Sequence, residues 1–420
     1  MKSAILLLVI TLLAPAIFGG WSSVYSLPGE DFARSGYETA DGGFFFLVEH
    51  RSPDEDTTSA LLAETDSSGV LSGWSSIPAM NDGTLRMFPS DDGFYAVGFD
   101  DTYLSLVRLD SAGATIRTDS YRLESSDYIS DAAMDSSENI VLVGTYEDGG
   151  ANSILIIGMD SLASPLFRRE LESGGYDALF ASRIIAAGDI YYFSFTGYFA
   201  GYDSSDYALI SIDSTGAVLD TVDFYRKYPG GDWRSLYLKG ATPSGKAIIV
   251  GTEKVDTIYN EYLRILSPTG AIVREVKPLP RDFVYPNYLL NLDDGYLLGG
   301  SVYPEDTTRT DRDAALMKVD SLWSMEWTRY FGADSTTELV YHLSETADRG
   351  FLLTGAVYDY SLDIRDLYAI RTDSTGKAAI QVADREPTSF SISARPNPFN
   401  SSVIIEVGGV GPESRPPAQL

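Results

Sequence analysis

The sequence predicts an all-β fold, a seven-bladed β-propeller of four-stranded antiparallel blades, on three observations. A unit of turn, apolar strand, variable loop and second apolar strand recurs seven times between Asp41 and Gly376. The unit closes at Asp66, Asp110, Asp160, Asp213, Ser267, Asp320 and Asp373, spaced 44, 50, 53, 54, 53 and 53 residues apart, which is propeller spacing. The strand before each closing residue is apolar on both faces, as in Leu155-Ile156-Ile157 and Ala208-Leu209-Ile210, where a half-exposed hairpin would alternate.

Residues 1–16 read as a signal peptide: Lys2 is the charged start, Ala4 to Leu13 the apolar stretch, and Ala14-Pro15-Ala16 a small-x-small cleavage site. Ten apolar residues are too few for a bilayer, which takes about 20. The expectation is export to the medium or the cell surface with no membrane span. There is no cysteine, hence neither a disulfide framework nor a lipidated cysteine anchor.

Residues 17–383 form the predicted propeller, with the sixth unit as template. Its first strand is Tyr288–Leu292, followed by the tight turn Asp293-Asp294-Gly295 and a second strand Tyr296–Gly300. A polar loop leads to the third strand, Ala314–Val319, and the fourth is Met325–Tyr330. Glycines at Gly98, Gly144, Gly251, Gly299 and Gly355 are expected where the backbones of adjacent blades converge. Asp-Ser-x-Gly reads as turn chemistry, the carboxylate accepting backbone hydrogen bonds and the glycine taking positive φ. Two segments compete for the last blade's fourth strand, Trp21–Tyr25 and Lys377–Val382.

The periodicity stops after Ala383, and residues 384–390 read as a linker to a segment 391–420. Within it Pro396-Asn397-Pro398-Phe399-Asn400 precedes the alternating run Val403-Ile404-Ile405-Glu406-Val407. This stretch resembles the opening of the type A sorting domain of the bacterial type IX secretion system. The resemblance implies a C-terminal β-sandwich recognised by secretion machinery. That family's later strands have no counterpart here, so a truncated sorting segment is expected.

The formal charge is −29, from 31 basic and 60 acidic side chains, which excludes nucleic acid and anionic lipid as partners. With 44% hydrophobic residues the chain has ample material for a core. The only two histidines, His50 and His342, lack ligand or relay spacing and are expected to be structural. No cofactor is expected. Calcium is conceivable only at the acidic loops Pro53–Asp56, Tyr202–Asp206 and Pro304–Asp306, none of which has EF-hand spacing.

In a propeller the loops joining second to third strands, and fourth strands to the next blade's first, open on one face. Two such loops carry aromatics beside charged residues: Tyr228, Asp232, Trp233 and Arg234 in one, Arg281, Asp282 and Tyr285 in the other. These are the candidate ligand-binding residues, suited to sugar stacking or peptide capture. The expected function is noncatalytic: a monomer presenting a binding face to a glycan, a protein or a surface polymer. A polysaccharide hydrolase or lyase would need convergent carboxylates in the axial funnel, and a structural envelope component would lack a polar, aromatic pocket.

Overall fold

The computed structural model describes residues 20–52, 58–80, 83–100, 102–148, 151–172, 175–199, 204–227, 234–255, 258–276, 285–302, 311–332, 336–360, 364–379, 390–396 and 403–409. The segment expected to be a signal peptide, residues 1–16, and the acidic loop segments Pro53–Asp56 and Pro304–Asp306 lie outside them, as do Tyr202 and Asp203. The chain divides into two compact units, Met1–Ile380 and Gln381–Leu420. Among the described residues all regular structure is β-strand, and no helix is long and apolar enough to cross a membrane.

The first unit is a β-propeller. Each of the first six sequence repeats folds into four antiparallel strands joined in order. Repeat one gives Glu30–Glu38, Phe44–Arg51, Thr58–Thr65 and Leu71–Ser76; repeat two gives Gly83–Ser90, Gly93–Asp100, Tyr103–Asp110 and Thr115–Arg122. Repeats three (Asp127–Met134 to Pro165–Leu171) and four (Ala178–Ala187 to Val218–Lys227) share one eight-stranded sheet, linked by a single parallel bridge between Asn152 and Ala178. Repeats five (Arg234–Ala241 to Ile272–Val276) and six (Tyr285–Leu292 to Met325–Phe331) each form a separate four-stranded sheet.

Repeat seven supplies only three long strands, Thr336–Glu345, Phe351–Asp359 and Ile364–Thr372. The N-terminal strand Gly20–Tyr25 completes it, running antiparallel to Ile364–Thr372 with Trp21 opposite Arg371 and Tyr25 opposite Leu367. Among the described residues its competitor contributes Ala378–Ala379, which pairs parallel outside it. Trp21 then packs edge-on to Phe44 of repeat one, and the Tyr25 hydroxyl donates to the Gly69 carbonyl at 2.7 Å. The first and last repeats are thereby clasped.

The core explains the unbroken apolar strands. Alternate side chains of a strand point to opposite faces, and here each face meets a different neighbouring sheet. Val141 and Val143 pack with Phe193 and Ile210 of repeat four, whereas Leu142 packs with Val97 and Leu106 of repeat two. Equivalent clusters join repeats four to five, five to six and six to seven. Leu352 and Leu367 of repeat seven then pack with Phe44 and Phe46 of repeat one, so the sequence of interfaces returns to its start. The fourth strands are the exposed rim, as in Thr115–Arg122.

The turn residues behave as their chemistry requires. One Asp213 carboxylate oxygen accepts from the Thr215 and Ala217 amides at 2.8 and 3.0 Å, and Asp66, Asp110, Asp160, Asp320 and Asp373 repeat the pattern. In repeat five the Ser267 hydroxyl substitutes. These carboxylates are committed to their own turns.

The glycines call for a correction. Gly98, Gly144 and Gly355 are closed in by carbonyl oxygens of the first strand of their own sheet, Gly83, Tyr128 and Leu339, and not by an adjacent blade. Gly251 faces the Tyr262 ring of its own sheet, and only Gly299 faces a neighbour, at Leu343. The reason is a β-bulge in the first strand: Gly98, Gly144, Gly299 and Gly355 are each paired at the irregularity, where the extra residue bends the backbone towards them.

In the second unit Phe390–Pro396 and Val403–Gly409 form an antiparallel hairpin. Asn397, Pro398, Phe399 and Asn400 lie outside the described residues, as does the Pro396 side chain.

Candidate functional site

All seven first strands carry that bulge, and the extra residues are Arg34, Leu85, Ser130, Ser182, Lys239, Asn287 and Tyr341. The residues that follow are Ser35, Arg86, Asp131, Arg183, Gly240, Tyr288 and His342. Because the first strands contact one another in succession and the last contacts the first, this register brings together side chains far apart in sequence.

The resulting polar layer is linked across repeats. Arg86 binds Asp131 through two hydrogen bonds of 2.7 and 3.0 Å, and Asp131 also accepts the Ile184 amide at 3.0 Å. Arg183 donates to the Asn287 carbonyl at 2.6 Å and lies over the Tyr288 ring, 4.9 Å from its centroid. The His342 ring contacts both Tyr37 and Tyr288, with centroids 4.9 and 4.8 Å away. Its Nδ1 accepts the Gly36 amide at 3.4 Å, which leaves Nε2 to donate to the Tyr37 hydroxyl at 3.1 Å. The Ser35 hydroxyl accepts the Met87 amide, and Ser344 donates to the Gly36 carbonyl.

Burial governs the electrostatics of this layer. Burial, reinforced by the nearby Arg86 and Arg183, pushes His342 down to about 3, so it is neutral at physiological pH. Burial also pushes Arg183 down to about 10, with Arg86 adding to the effect. For Arg86 burial works the same way, but the Asp131 carboxylate outweighs it and the net direction is up. Tyr37 is raised, chiefly by burial.

A cavity of about 460 Å³ opens above this layer, at the end of the sheets where first strands begin and second strands finish. Its lining includes Arg34, Glu49, Arg51, Arg86, Tyr128, Asp131, Arg183, Tyr288 and Tyr341. Glu49 is buried and shared, accepting from Arg34 at 2.7 Å through one oxygen and from Arg51 at 2.9 Å through the other. At the opposite mouth a second cavity of about 820 Å³ is bordered by Glu38, Asp91, Asp92 and Glu345 together with Tyr37 and His342. The two mouths therefore differ in charge.

The residues singled out from the sequence are not brought together by the described structure. Tyr228, Asp232, Trp233, Arg281 and Asp282 lie outside the described residues. Arg234 and Tyr285 open the first strands of repeats five and six, pairing through their backbones with Glu253 and Ser301, while their side chains are outside the description. His342 is buried and hydrogen-bonded through both nitrogens, as a structural histidine is. His50 bonds Asp31 at 2.8 Å. Arg86, Asp131 and Arg183 were missed. Their only signal was a charged residue inside an otherwise apolar first strand, with no repetition from unit to unit.

No protein-family model matches the chain, and no curated protein matches it. Among solved structures, the polysaccharide lyase Uly1 is similar over 83% of this chain and 90% of its own, with TM-score 0.55 and 8% identity. The β-propeller domain of the Trilobed protease from Pyrococcus furiosus aligns over 82% of this chain and 94% of its own, with TM-score 0.47 and 7% identity. At these identities the likeness is one of fold.

Among the described residues no group of three or more histidine, aspartate or glutamate side chains is placed to hold a metal ion. The arrangement can bind and orient a polar ligand. A proton-transfer pair would need a carboxylate free of its arginine, and at this mouth Glu49 and Asp131 are both engaged.

Proposed function

We propose that the chain is an exported, seven-bladed propeller, secreted or held at the cell surface, that binds without catalysis through the axial mouth. Seven repeats, seven bulged first strands and interfaces that return from repeat seven to repeat one support the blade count. The residues 1–16 support export, and the Pro396–Asn400 segment supports recognition by secretion machinery. The ligand is a glycan, a protein or a surface polymer.

One observation carries the choice of binding over cleavage: both cavity carboxylates, Glu49 and Asp131, are neutralised by arginines. A carboxylate so held is fixed in place with its oxygens already committed to guanidinium groups, unsuited to acid–base work on a glycosidic bond. The test is a glycan array probed with the full chain, followed by incubation of any captured glycan and analysis for shortened products. Capture without products is expected. Release of oligosaccharide would overturn the noncatalytic reading.

A further inference from the structure

We propose that Arg183, seated beside Arg86, makes the axial cavity an oxoanion site that takes the carboxylate of an acidic saccharide. The inference rests on the binding-face reading and names the class of ligand. In a chain of net charge −29 this lining is locally cationic: among the described residues it holds Arg34, Arg51, Arg86 and Arg183 against Glu49 and Asp131. Glu49 serves Arg34 and Arg51, and Asp131 serves Arg86 through both oxygens. Arg183 has no carboxylate within ion-pair distance among the described residues. Its Nε is out of contact with solvent and meets no acceptor.

The guanidinium is nonetheless fixed, by the Asn287 carbonyl on one side and by the Tyr288 ring under its face. A planar, immobilised guanidinium in the cavity wall suits a carboxylate, which accepts charge-assisted hydrogen bonds from it. Holding such a cation partly buried and unmatched is unfavourable unless a ligand supplies the missing charge. The cavity volume, about 460 Å³, is that of a small-ligand pocket. Its rim carries Tyr128, 64% exposed, and the Ser130 hydroxyl. Aromatic faces and hydroxyls around one cation favour a polyhydroxylated ring over a peptide terminus, whose amide N–H groups would need acceptors that the committed carboxylates do not offer.

Isothermal titration of the full chain with oligogalacturonate, its methyl ester, sodium acetate and a peptide with a free C-terminus tests this, in wild type and in Arg183→Met. Expected is binding of oligogalacturonate that is lost on esterification and weakened roughly tenfold to a hundredfold by Arg183→Met, the range of a charge-assisted hydrogen bond. Arg183→Met keeps the stem and removes the unmatched charge, so circular dichroism should show a folded protein. Equal binding of ester and acid, or of wild type and Arg183→Met, overturns the oxoanion site yet leaves a binding face intact. Preference for acetate or the peptide over oligogalacturonate overturns the saccharide assignment. Shortened oligogalacturonate would instead refute the noncatalytic reading, whatever Arg183 does.

Discussion

Acidification should weaken the fold through His342, and the size of the effect follows from its surroundings. The side chain is 2% exposed, wedged between the Tyr37 and Tyr288 rings, with Nδ1 occupied by the Gly36 N–H. Protonating Nδ1 would set two N–H groups against each other and add a third cation beside Arg86 and Arg183. The imidazole thus stays neutral in the fold down to about 3, whereas in the unfolded chain it gains its proton near 6.5. Between those values the unfolded state binds more protons, so this contribution is complete above 6.5 and is lost as pH falls, by about 1.4 kcal/mol per unit. From pH 6.5 to 4.5 the loss is on the order of 2 kcal/mol. Urea titrations of wild type and His342→Gln at pH 7, 5.5 and 4.5 isolate it, because the relief of carboxylate repulsion on acidification is common to both. His342→Gln should be the less stable protein at pH 7, and its deficit should shrink by about that amount at pH 4.5. Parallel pH dependences in the two proteins would refute the argument.

Gly355→Ala should lower the melting temperature more than Gly299→Ala, since the new Cβ would stand 1.7 Å from the Leu339 carbonyl oxygen in the first case but 2.7 Å from a Leu343 methyl in the second. The larger Gly299→Val overpacks Leu343 and should cost about 1–3 kcal/mol by urea titration, with an unchanged midpoint counting against it. Trp21→Ala removes a residue 3% exposed from the clasp between first and last repeats, and should destabilise by about 3–5 kcal/mol, measured by the same titration. EDTA should leave the wild-type melting curve unmoved, because the turn carboxylates are filled by backbone amides, and Asp213→Ala, which removes that acceptor, should cost about 0.5–1.5 kcal/mol by urea titration.

The propeller was legible because its signals are local and repeated. Unit six illustrates this: the strands expected over 288–292, 296–300, 314–319 and 325–330 are Tyr285–Leu292, Gly295–Val302, Asp313–Asp320 and Met325–Phe331. Asp-Ser-x-Gly was readable for the same reason, its hydrogen bonds closing within four residues. The axial layer has neither property. Its members differ from repeat to repeat, and its contacts join residues such as Arg86 and Asp131, 45 apart, or Tyr37 and His342, 305 apart. Packing of successive first strands makes the first pair neighbours, and ring closure the second. The aromatic loops named from composition lie mostly outside the described residues, and the cationic cavity is set by register.

Two-sided packing uses up the faces of every sheet, so chemistry is confined to edges. At the outer edge the fourth strands face solvent; at the inner edge seven bulged strands converge, and whatever polar groups they carry must satisfy one another or remain unmatched. Most do satisfy one another: Asp131 answers Arg86 and the Ile184 amide, and His342 answers Gly36 and Tyr37. Arg183 is the remainder, its Nε without an acceptor. A methionine there would have given the same bulk with no charge to desolvate, as replacements of buried ion pairs by apolar residues demonstrate in other proteins. A guanidinium without a carboxylate of its own among the described residues, at a position where an apolar side chain of like volume would fit, is what the proposed oxoanion site accounts for.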